Sequence, residues 1–235
     1  SEAPKGSEHD PPPGFIARTV LETSSGRNPN AGGHTLEGQR RFRKERDGYW
    51  RVYEPRWPKS ADGRYYWKSD TSSDELDGHY FFYPLYYDLV AETEEEKSAV
   101  REIVRANIDH LIRHDFSMHD HAGKTRWAVY GPKDLNQDPQ WHEERGLKSI
   151  SILSYLNVAY HMTGDMKYRK AAKELRDKHS YHINVMWPKY QRGIGSGNQS
   201  DDEMAFMSYY NLIKYEPDPG LKKLYMASFA NSWRQ

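Results

Sequence analysis

The sequence contains no cysteine among its 235 residues. This absence excludes disulfide bonds, thiolate-bound metal sites and cysteine nucleophiles, and it leaves the cellular compartment open. Long apolar runs are missing as well: no stretch of about 18 apolar residues occurs, so the sequence predicts no membrane-spanning helix. We also find no phosphate-binding loop, no dinucleotide fingerprint and no Gly-x-Ser-x-Gly turn, and we expect no cofactor.

An excess of charge of either sign is also lacking, because 34 basic residues balance 34 acidic ones. A dedicated nucleic-acid-binding protein should carry a net basic surface, so this balance argues against that class. Aromatic residues are abundant instead, with 18 Tyr, 7 Trp and 7 Phe. Tyr and Trp have apolar rings with a polar tip, so they can build a core and also line a wet groove. We expect most of them in the core, and the surplus of Tyr over Phe favours some contact with a polar ligand.

The first 70 residues are predicted to form an irregular segment that packs on the following domain. A short strand is predicted at 15–21, a basic helix at 35–46 and extended chain at 48–67. Loop-forming residues separate these elements at 11–14, 24–26 and 28–33.

Residues 71–235 are predicted to form a helical domain, because capping residues and helical spacing of apolar residues recur along this part. A short strand at 125–130 and a glycine-rich loop at 188–198, with Gly193, Gly195 and Gly197, interrupt it. The six predicted helices lie at about 72–91, 93–112, 143–162, 166–184, 200–215 and 220–233.

The helices repeat in pairs, and the first helix of each pair is the more apolar. The run Ser-Asp-Glu-Leu at 73–76, followed by aromatic residues, is echoed by Asp-Asp-Glu-Met at 201–204. A short turn and a more polar helix follow each time, and 145–165 is a third version. Such self-similar hairpins indicate a ring or solenoid with an inner and an outer helical layer. The last helix has no cap after it, so we expect a longer polypeptide or a second protein chain to complete the assembly.

The turn Met-Thr-Gly-Asp-Met-Lys-Tyr at 162–168, followed by Ala171, Ala172 and Leu175, resembles the hairpin junction of the six-hairpin glycosidase-like (α/α) toroid superfamily. The runs at 72–80 and 200–206 resemble inner-helix starts in secreted bacterial members. This resemblance implies an all-α fold, part of an (α/α) toroid, in which this chain supplies about half of the ring. It also implies a carbohydrate ligand and an extracellular or periplasmic location.

Carboxylates at the starts of the inner helices are the first candidates for catalysis. They are Asp74 and Glu75 in one repeat and Asp202 and Glu203 in another, with His79 one turn beyond the first pair. Two carboxylates across a groove are what glycoside hydrolysis requires, one as acid and the other as nucleophile or base. The alternative is that these residues only cap their helices, since acidic residues are favoured in a first turn.

A second group is predicted to bind the substrate. An arginine fork at Arg145 suits the carboxylate of a uronate, and aromatic rings stack on sugars. With His79, Arg145 would also suit lyase chemistry, in which charge is neutralised and a proton is removed. The alternative is a set of core aromatics and a surface ion pair. The predicted aromatic members are Tyr80, Trp127, Tyr130 and Trp141, and Arg126 and His142 belong to the same group.

Four histidines could be mistaken for a metal site, namely His110, His114, His119 and His121. His110 and His114 are one helical turn apart, but no glutamate follows the first as in zinc proteases. We therefore expect no metal.

The sequence as a whole predicts a carbohydrate-active protein that cleaves a polysaccharide or oligosaccharide, as a hydrolase or a uronate lyase. The alternative from another class is a non-catalytic glycan-binding or scaffold module.

Overall fold

The computed structural model describes residues 10–188 and 199–234. Helices make up 61% of the chain, with two small sheets beside them, which confirms a mainly α fold. No helix in the described ranges is both long and apolar enough to span a membrane. Two compact units are formed: the described part of Ser1–Glu75 joins Asp109–Val129, and Leu76–Ile108 joins the described part of Tyr130–Gln235.

The first unit contains two antiparallel strand pairs and one helix. Strand β1 (Val20–Glu22) pairs with β2 (Tyr65–Trp67), and β3 (Ser117–Asp120) pairs with β4 (Gly123–Val129). Helix α1 (Leu36–Glu45) begins after Thr35, whose hydroxyl accepts a hydrogen bond from the Gly38 amide. The predicted helix at 35–46 and the predicted strand at 125–130 are thus present. The strand expected at 15–21 is wrong in place, because only residues from 20 onward pair along β2.

A buried ion pair organises the core of the first unit. The Arg56 guanidinium lies 3.1 Å from the Asp70 carboxylate, and both side chains are buried. Arg56 also stacks over the Trp50 ring at 4.1 Å, and the Tyr53 hydroxyl donates to Asp70. Burial, together with the charges of Asp120 and Asp70, raises the pKa of Tyr53. A buried charge pair is stabilised when its remaining polar atoms are bonded. One guanidinium nitrogen of Arg56 also donates to the Arg51 oxygen, and Asp70 also accepts from the Arg126 amide. The Arg56 Nε atom has no hydrogen-bond partner among the described residues.

The second unit is built from helices. The six predicted helices are present, although the fourth is broken at Ser180, which adopts a left-handed φ of 58°. Helix α4 was not predicted. The helices are α2 (Ser73–Leu89), α3 (Glu94–Arg113), α4 (Pro132–Gln137), α5 (Arg145–Thr163), α6 (Met166–His179), α7 (Tyr181–Asn184), α8 (Gln199–Tyr215) and α9 (Pro219–Trp233). One end of α2 and one end of α3 belong to the first unit.

Several helices that follow each other in the chain are in contact. In α2 and α3 the Tyr80 hydroxyl donates to Asn107, and Arg101 reaches the Tyr87 hydroxyl, so the contacts run in antiparallel order. Helix α5 packs on α6, and α8 packs on α9. Helix α5 also has an extensive contact with α8. Short connections place such neighbours side by side, as expected for helical hairpins.

A polar network joins α2, α5 and α8 inside the second unit. Buried Asp77 accepts a hydrogen bond from the Tyr155 hydroxyl at 2.6 Å and another from Ser208. The Tyr155 ring stacks on Tyr80 with centroids 4.1 Å apart. Burial and the charge of Asp77 raise the pKa of Tyr155 well above its usual value. The tyrosine therefore stays neutral and donates a hydrogen bond to the carboxylate.

Pro84 lies inside α2, where it cannot donate a hydrogen bond to the carbonyl of Tyr80. The side-chain amide of Asn211 in α8 donates to that carbonyl at 3.1 Å instead. The same amide nitrogen also donates to the hydroxyl of Ser154 in α5. Asn211 thus satisfies a polar group that the proline leaves open, and it ties three helices together at one point.

Candidate functional site

A pocket of about 360 Å³ lies in the second unit where the start of α5 meets α7 and the residues after it. Pockets that hold small molecules span roughly 300–1,000 Å³, so this one is at the lower end. Its lining combines charged, amide and apolar groups, the usual mixture in a ligand site. The lining residues are His142, Glu143, Arg145, Gly146, Ile183, Asn184 and Trp187.

Gly146 allows this pocket to form. A Cβ atom at this position would lie 1.8 Å from the backbone oxygen of Trp187, a distance that no side chain can occupy. The missing side chain lets the chain after α7 pass directly over the first turn of α5. The pocket is therefore built on a close backbone contact that only glycine permits.

Arg145 supplies a cation to the pocket. Its Nε atom donates to the backbone oxygen of Leu135 at 2.5 Å, which fixes the guanidinium on α4. Within 10–188 and 199–234, no acidic side chain pairs with Arg145. The outer edge of the guanidinium can therefore donate to an anionic ligand such as a carboxylate.

Asn184 supplies an acceptor with a fixed direction. Its amide nitrogen donates to the side-chain oxygen of Asn136 and to the Ser149 hydroxyl, both at 3.1 Å. These two bonds use both hydrogens of the amide, so the carbonyl oxygen is the atom that remains for a ligand. A hydroxyl group of a ligand would suit that oxygen.

Trp187 and Ile183 give the pocket an apolar surface. Trp187 is 64% exposed and Ile183 is half exposed, although both side chains are large and apolar. An exposed indole beside hydrogen-bonding groups offers a flat face on which a ring can stack. His142 and Glu143 are exposed at the same pocket and can carry protons.

One turn into α5, Lys148 is 1% exposed and forms an ion pair with Glu144 at 3.1 Å. Its ammonium lies 5.3 Å from the Trp141 ring and 5.7 Å from the Tyr130 ring. Buried lysines need a paired charge and are further stabilised by aromatic faces. Trp141, predicted to bind substrate, instead is buried and covers this ammonium.

Two other predicted binding residues lie in the core as well. Tyr80 and Tyr130 have no exposed surface, so neither ring can stack on a sugar, and that prediction needs correction. The Tyr130 hydroxyl lies 3.3 Å from that of Tyr155, which continues the Asp77 network. The aromatic content of the sequence thus serves the core at these positions.

The carboxylates at the start of α2 belong to the first unit. Glu75 accepts hydrogen bonds from the Ser72 amide at 2.7 Å and from the Ser72 hydroxyl at 2.6 Å. It also forms an ion pair with Arg18 at 2.8 Å. The bond from the Ser72 amide is one half of a capping box, so local structure accounts for this carboxylate. Asp74 is exposed beside Ser73, whose hydroxyl is 3.5 Å away.

The other predicted catalytic residues belong to the second unit. His79 stacks on Tyr83 with centroids 5.4 Å apart. Asp202 is half-buried and Glu203 is exposed in the first turn of α8. None of these three residues lines the pocket beside Arg145. The glycine-rich loop with Gly193, Gly195 and Gly197 lies outside the described residues.

Trp127 lies in β4 of the first unit and is half-buried. The guanidinium of Arg126 sits over its ring at 3.9 Å. Such a contact is a cation–π interaction, so one face of the indole is occupied.

Three histidines cluster in the first unit. The His114 ring stacks on His119 at 4.3 Å and lies 4.6 Å from His110. Both nitrogens of His110 are engaged, one with the Pro13 oxygen and one with the His119 amide. Burial lowers the pKa of His110 to about 4, and the neighbouring histidines add to this effect. Within the described ranges, no group of three potential ligands is arranged to hold a metal ion.

A further titratable cluster in the second unit was missed from the sequence. His161 Nε2 lies 2.8 Å from one oxygen of Asp88, and the Tyr215 hydroxyl donates to the other at 2.9 Å. Partial burial opposes ionisation of Asp88, but the bonds from His161 and Tyr215 outweigh it, so the pKa is lowered. Burial raises the pKa of Tyr215 to about 12. These residues come from α2, α5 and α8, so no local motif reveals them.

Arg145 and His142 are the predicted candidates among the residues that line the pocket. Asn184 and Trp187 were not predicted, because the close approach at Gly146 places them there. A tryptophan directly before Pro188 and a long loop was the only local signal for that position. Comparisons with family models, with curated proteins and with solved structures give no match for this chain.

Proposed function

We propose that this protein is carbohydrate-active and that the pocket beside Arg145 holds a segment of a glycan. The observation that carries the proposal is the pairing of an exposed Trp187 with the Arg145 guanidinium in one pocket. Carbohydrates offer flat apolar ring faces together with many hydroxyl groups, and uronates add a carboxylate. The ring face suits the indole, the carboxylate suits Arg145, and a hydroxyl suits the oxygen of Asn184.

Cleavage of a glycosidic bond, by hydrolysis or by elimination from a uronate, is the reaction class that we propose. His142 and Glu143 line the pocket and are the groups there that can move a proton. Arg145 would neutralise the uronate carboxylate and so assist proton removal beside it. Asp202 and Glu203 do not line this pocket, so a hydrolytic role for them requires a glycan that extends to the start of α8.

Glycan binding without cleavage is the second candidate. The contacts of Glu75 with Ser72 and Arg18 favour it, because they explain this carboxylate as a helix cap without any catalytic role.

The remaining parts of the proposal are an (α/α) toroid built with further helices, a second chain or further polypeptide as partner, and an extracellular or periplasmic location. They rest on the resemblance of the hairpin junction at 162–168.

A screen of uronic-acid and neutral polysaccharides tests the proposal. New reducing ends indicate hydrolysis, and the ultraviolet absorbance of an unsaturated product indicates elimination. Arg145→Gln should weaken binding of a uronate glycan by roughly tenfold or more, since hydrogen bonds to charged groups are worth about 1.5–3 kcal/mol. Arg105→Gln is the matched control, because Arg105 is exposed on α3 and pairs with Glu102.

Binding in calorimetry without any product would favour the second candidate. Absence of both binding and product for every polysaccharide in the screen would refute the proposal. Equal affinity of the Arg145→Gln variant and the control would show that the glycan binds elsewhere.

A further inference from the structure

Helix α1 of the first unit is fixed to its neighbours along one side. Gly38 is buried, and a Cβ atom there would lie 2.7 Å from the oxygen of Gly32, so the helix approaches this turn closely. The buried amide of Gln39 bonds the backbone of Tyr53 twice, donating to the oxygen at 2.8 Å and accepting from the amide at 3.0 Å. These contacts hold α1 in a defined orientation, and its other sides face solvent.

The solvent-facing sides of α1 are strongly basic. Within 36–46 there are five cations and two carboxylates, Glu37 and Glu45, and all seven side chains are exposed. In the described part of the chain, no acidic side chain pairs with any of these five cations. Arg43 donates its Nε to the backbone oxygen of Gly48. We name the five cations the α1 basic cluster: Arg40, Arg41, Arg43, Lys44 and Arg46.

Aromatic rings lie beside this surface, two of them exposed (Phe42 and Tyr49) and two half-buried (Trp50 and Trp127). Phe42 is 41% exposed and lies 4.6 Å from the Trp50 ring, and Tyr49 is 59% exposed. The Arg126 guanidinium lies 4.6 Å from the Tyr49 ring and 3.9 Å from the Trp127 ring. We name these rings, Phe42, Tyr49, Trp50 and Trp127, the aromatic shelf. The bond from Arg43 to Gly48 and the contact of Phe42 with Trp50 join the shelf to the α1 basic cluster.

We propose that the α1 basic cluster and the aromatic shelf form a binding surface for an acidic polysaccharide, separate from the Arg145 pocket. The cations of an anchored helix, which pair with no acidic side chain among the described residues, complement the repeated negative charges of such a chain. The exposed members of the shelf, Phe42 and Tyr49, offer apolar surface to its sugars. A nucleic acid also carries negative charges and rings. The polysaccharide is chosen because it agrees with the proposed carbohydrate activity, on which this inference rests, and an oligonucleotide is compared with it in the experiment.

Affinity electrophoresis through polygalacturonate tests this surface. The control gel contains the fully methyl-esterified polymer, which has the same sugar chain without charge. The full chain should be retarded by polygalacturonate and not by the ester. The triple variant Arg40→Gln, Arg41→Gln, Lys44→Gln should bind about tenfold more weakly, as expected when three exposed ion pairs are removed.

Lys170→Gln, Lys173→Gln, Lys178→Gln is the matched control, since it removes three exposed cations from α6. Lys173 pairs with Asp177 and Lys178 pairs with Glu174, so two of these three lysines already have an acidic partner. The control triple and Arg145→Gln should both keep the retardation, and Tyr49→Ala should reduce it. Circular dichroism checks that each variant is folded, and Tyr49→Ala serves as the test if the α1 triple is not.

Several results would overturn the proposal. They are no retardation of the parent chain, equal retardation by the methyl ester, or equal losses in the two triple variants. Stronger binding of a single-stranded oligonucleotide than of polygalacturonate, lost in the α1 triple, would assign the surface to nucleic acid instead. Loss of retardation in Arg145→Gln alone would assign the binding to the pocket.

Discussion

Acid should destabilise the first unit through His110, and the size of the effect follows from its surroundings. Both ring nitrogens are bonded in the neutral form, with the Pro13 oxygen as one partner and the His119 amide as the other. Burial lowers the pKa of His110 from 6.5 to about 4. Between these values the unfolded chain binds a proton at this residue and the folded chain does not.

The free energy of unfolding should therefore fall as the pH is lowered from 6.5 to 4, and the loss should level off below that. A pKa difference of about 2.5 units at about 1.4 kcal/mol per unit gives about 3 kcal/mol. The pKa values of His114 and His119 are also lowered by burial, so they add to the effect. Asp120 acts in the opposite direction, because burial raises its pKa.

Urea unfolding of the parent chain and of His110→Gln, followed by tryptophan fluorescence from pH 7.5 to pH 4, isolates the contribution of His110. Glutamine can donate and accept hydrogen bonds but does not titrate. The difference in unfolding free energy between the two proteins should shrink by about 3 kcal/mol as the pH falls through this window. If the difference is the same at pH 7.5 and at pH 4, the assigned pKa of His110 is wrong.

Three further perturbations test the fold and the pocket. Gly146→Ala should destabilise the protein by about 1–3 kcal/mol and weaken glycan binding, because the added carbon collides with the backbone of Trp187. Thermal unfolding measures the loss of stability, and titration calorimetry measures the loss of binding. Asn211→Leu should lower the free energy of unfolding by about 2–4 kcal/mol in urea titrations, since the buried Tyr80 carbonyl loses its donor. Glu75→Gln should lower the free energy of unfolding by about 1 kcal/mol and leave glycan cleavage intact if the residue is only a cap. A large loss of cleavage would instead support the predicted catalytic role.

The six main helices could be predicted because capping residues and apolar spacing act locally. The cap at 72–75 forms as the sequence indicates, with Glu75 bonded to Ser72. The break at Ser180 could not be predicted, because a left-handed conformation at a residue other than glycine depends on its neighbours. Helix α4 is short, and a six-residue helix leaves too little periodicity to detect.

The pocket was only partly predictable, because it depends on contacts between segments that are distant in the sequence. Arg145 was recognised as a residue suited to a carboxylate. Asn184 and Trp187 become neighbours of Arg145 only because Gly146 lets two distant segments touch. Burial also determines which aromatic rings a ligand can reach, and no pattern in the sequence distinguishes buried Tyr80 from exposed Tyr49.

The proline in α2 makes one helix depend on another that is synthesised much later. The Tyr80 carbonyl, left open by Pro84, receives its donor from Asn211, which is 131 residues further along the chain. A nascent chain that has not yet reached α8 must therefore leave this carbonyl to water or keep that part of α2 frayed. Shortened chains that end before residue 199 should show faster amide exchange around Tyr80 than the full chain, even where α2, α3 and α5 are all present.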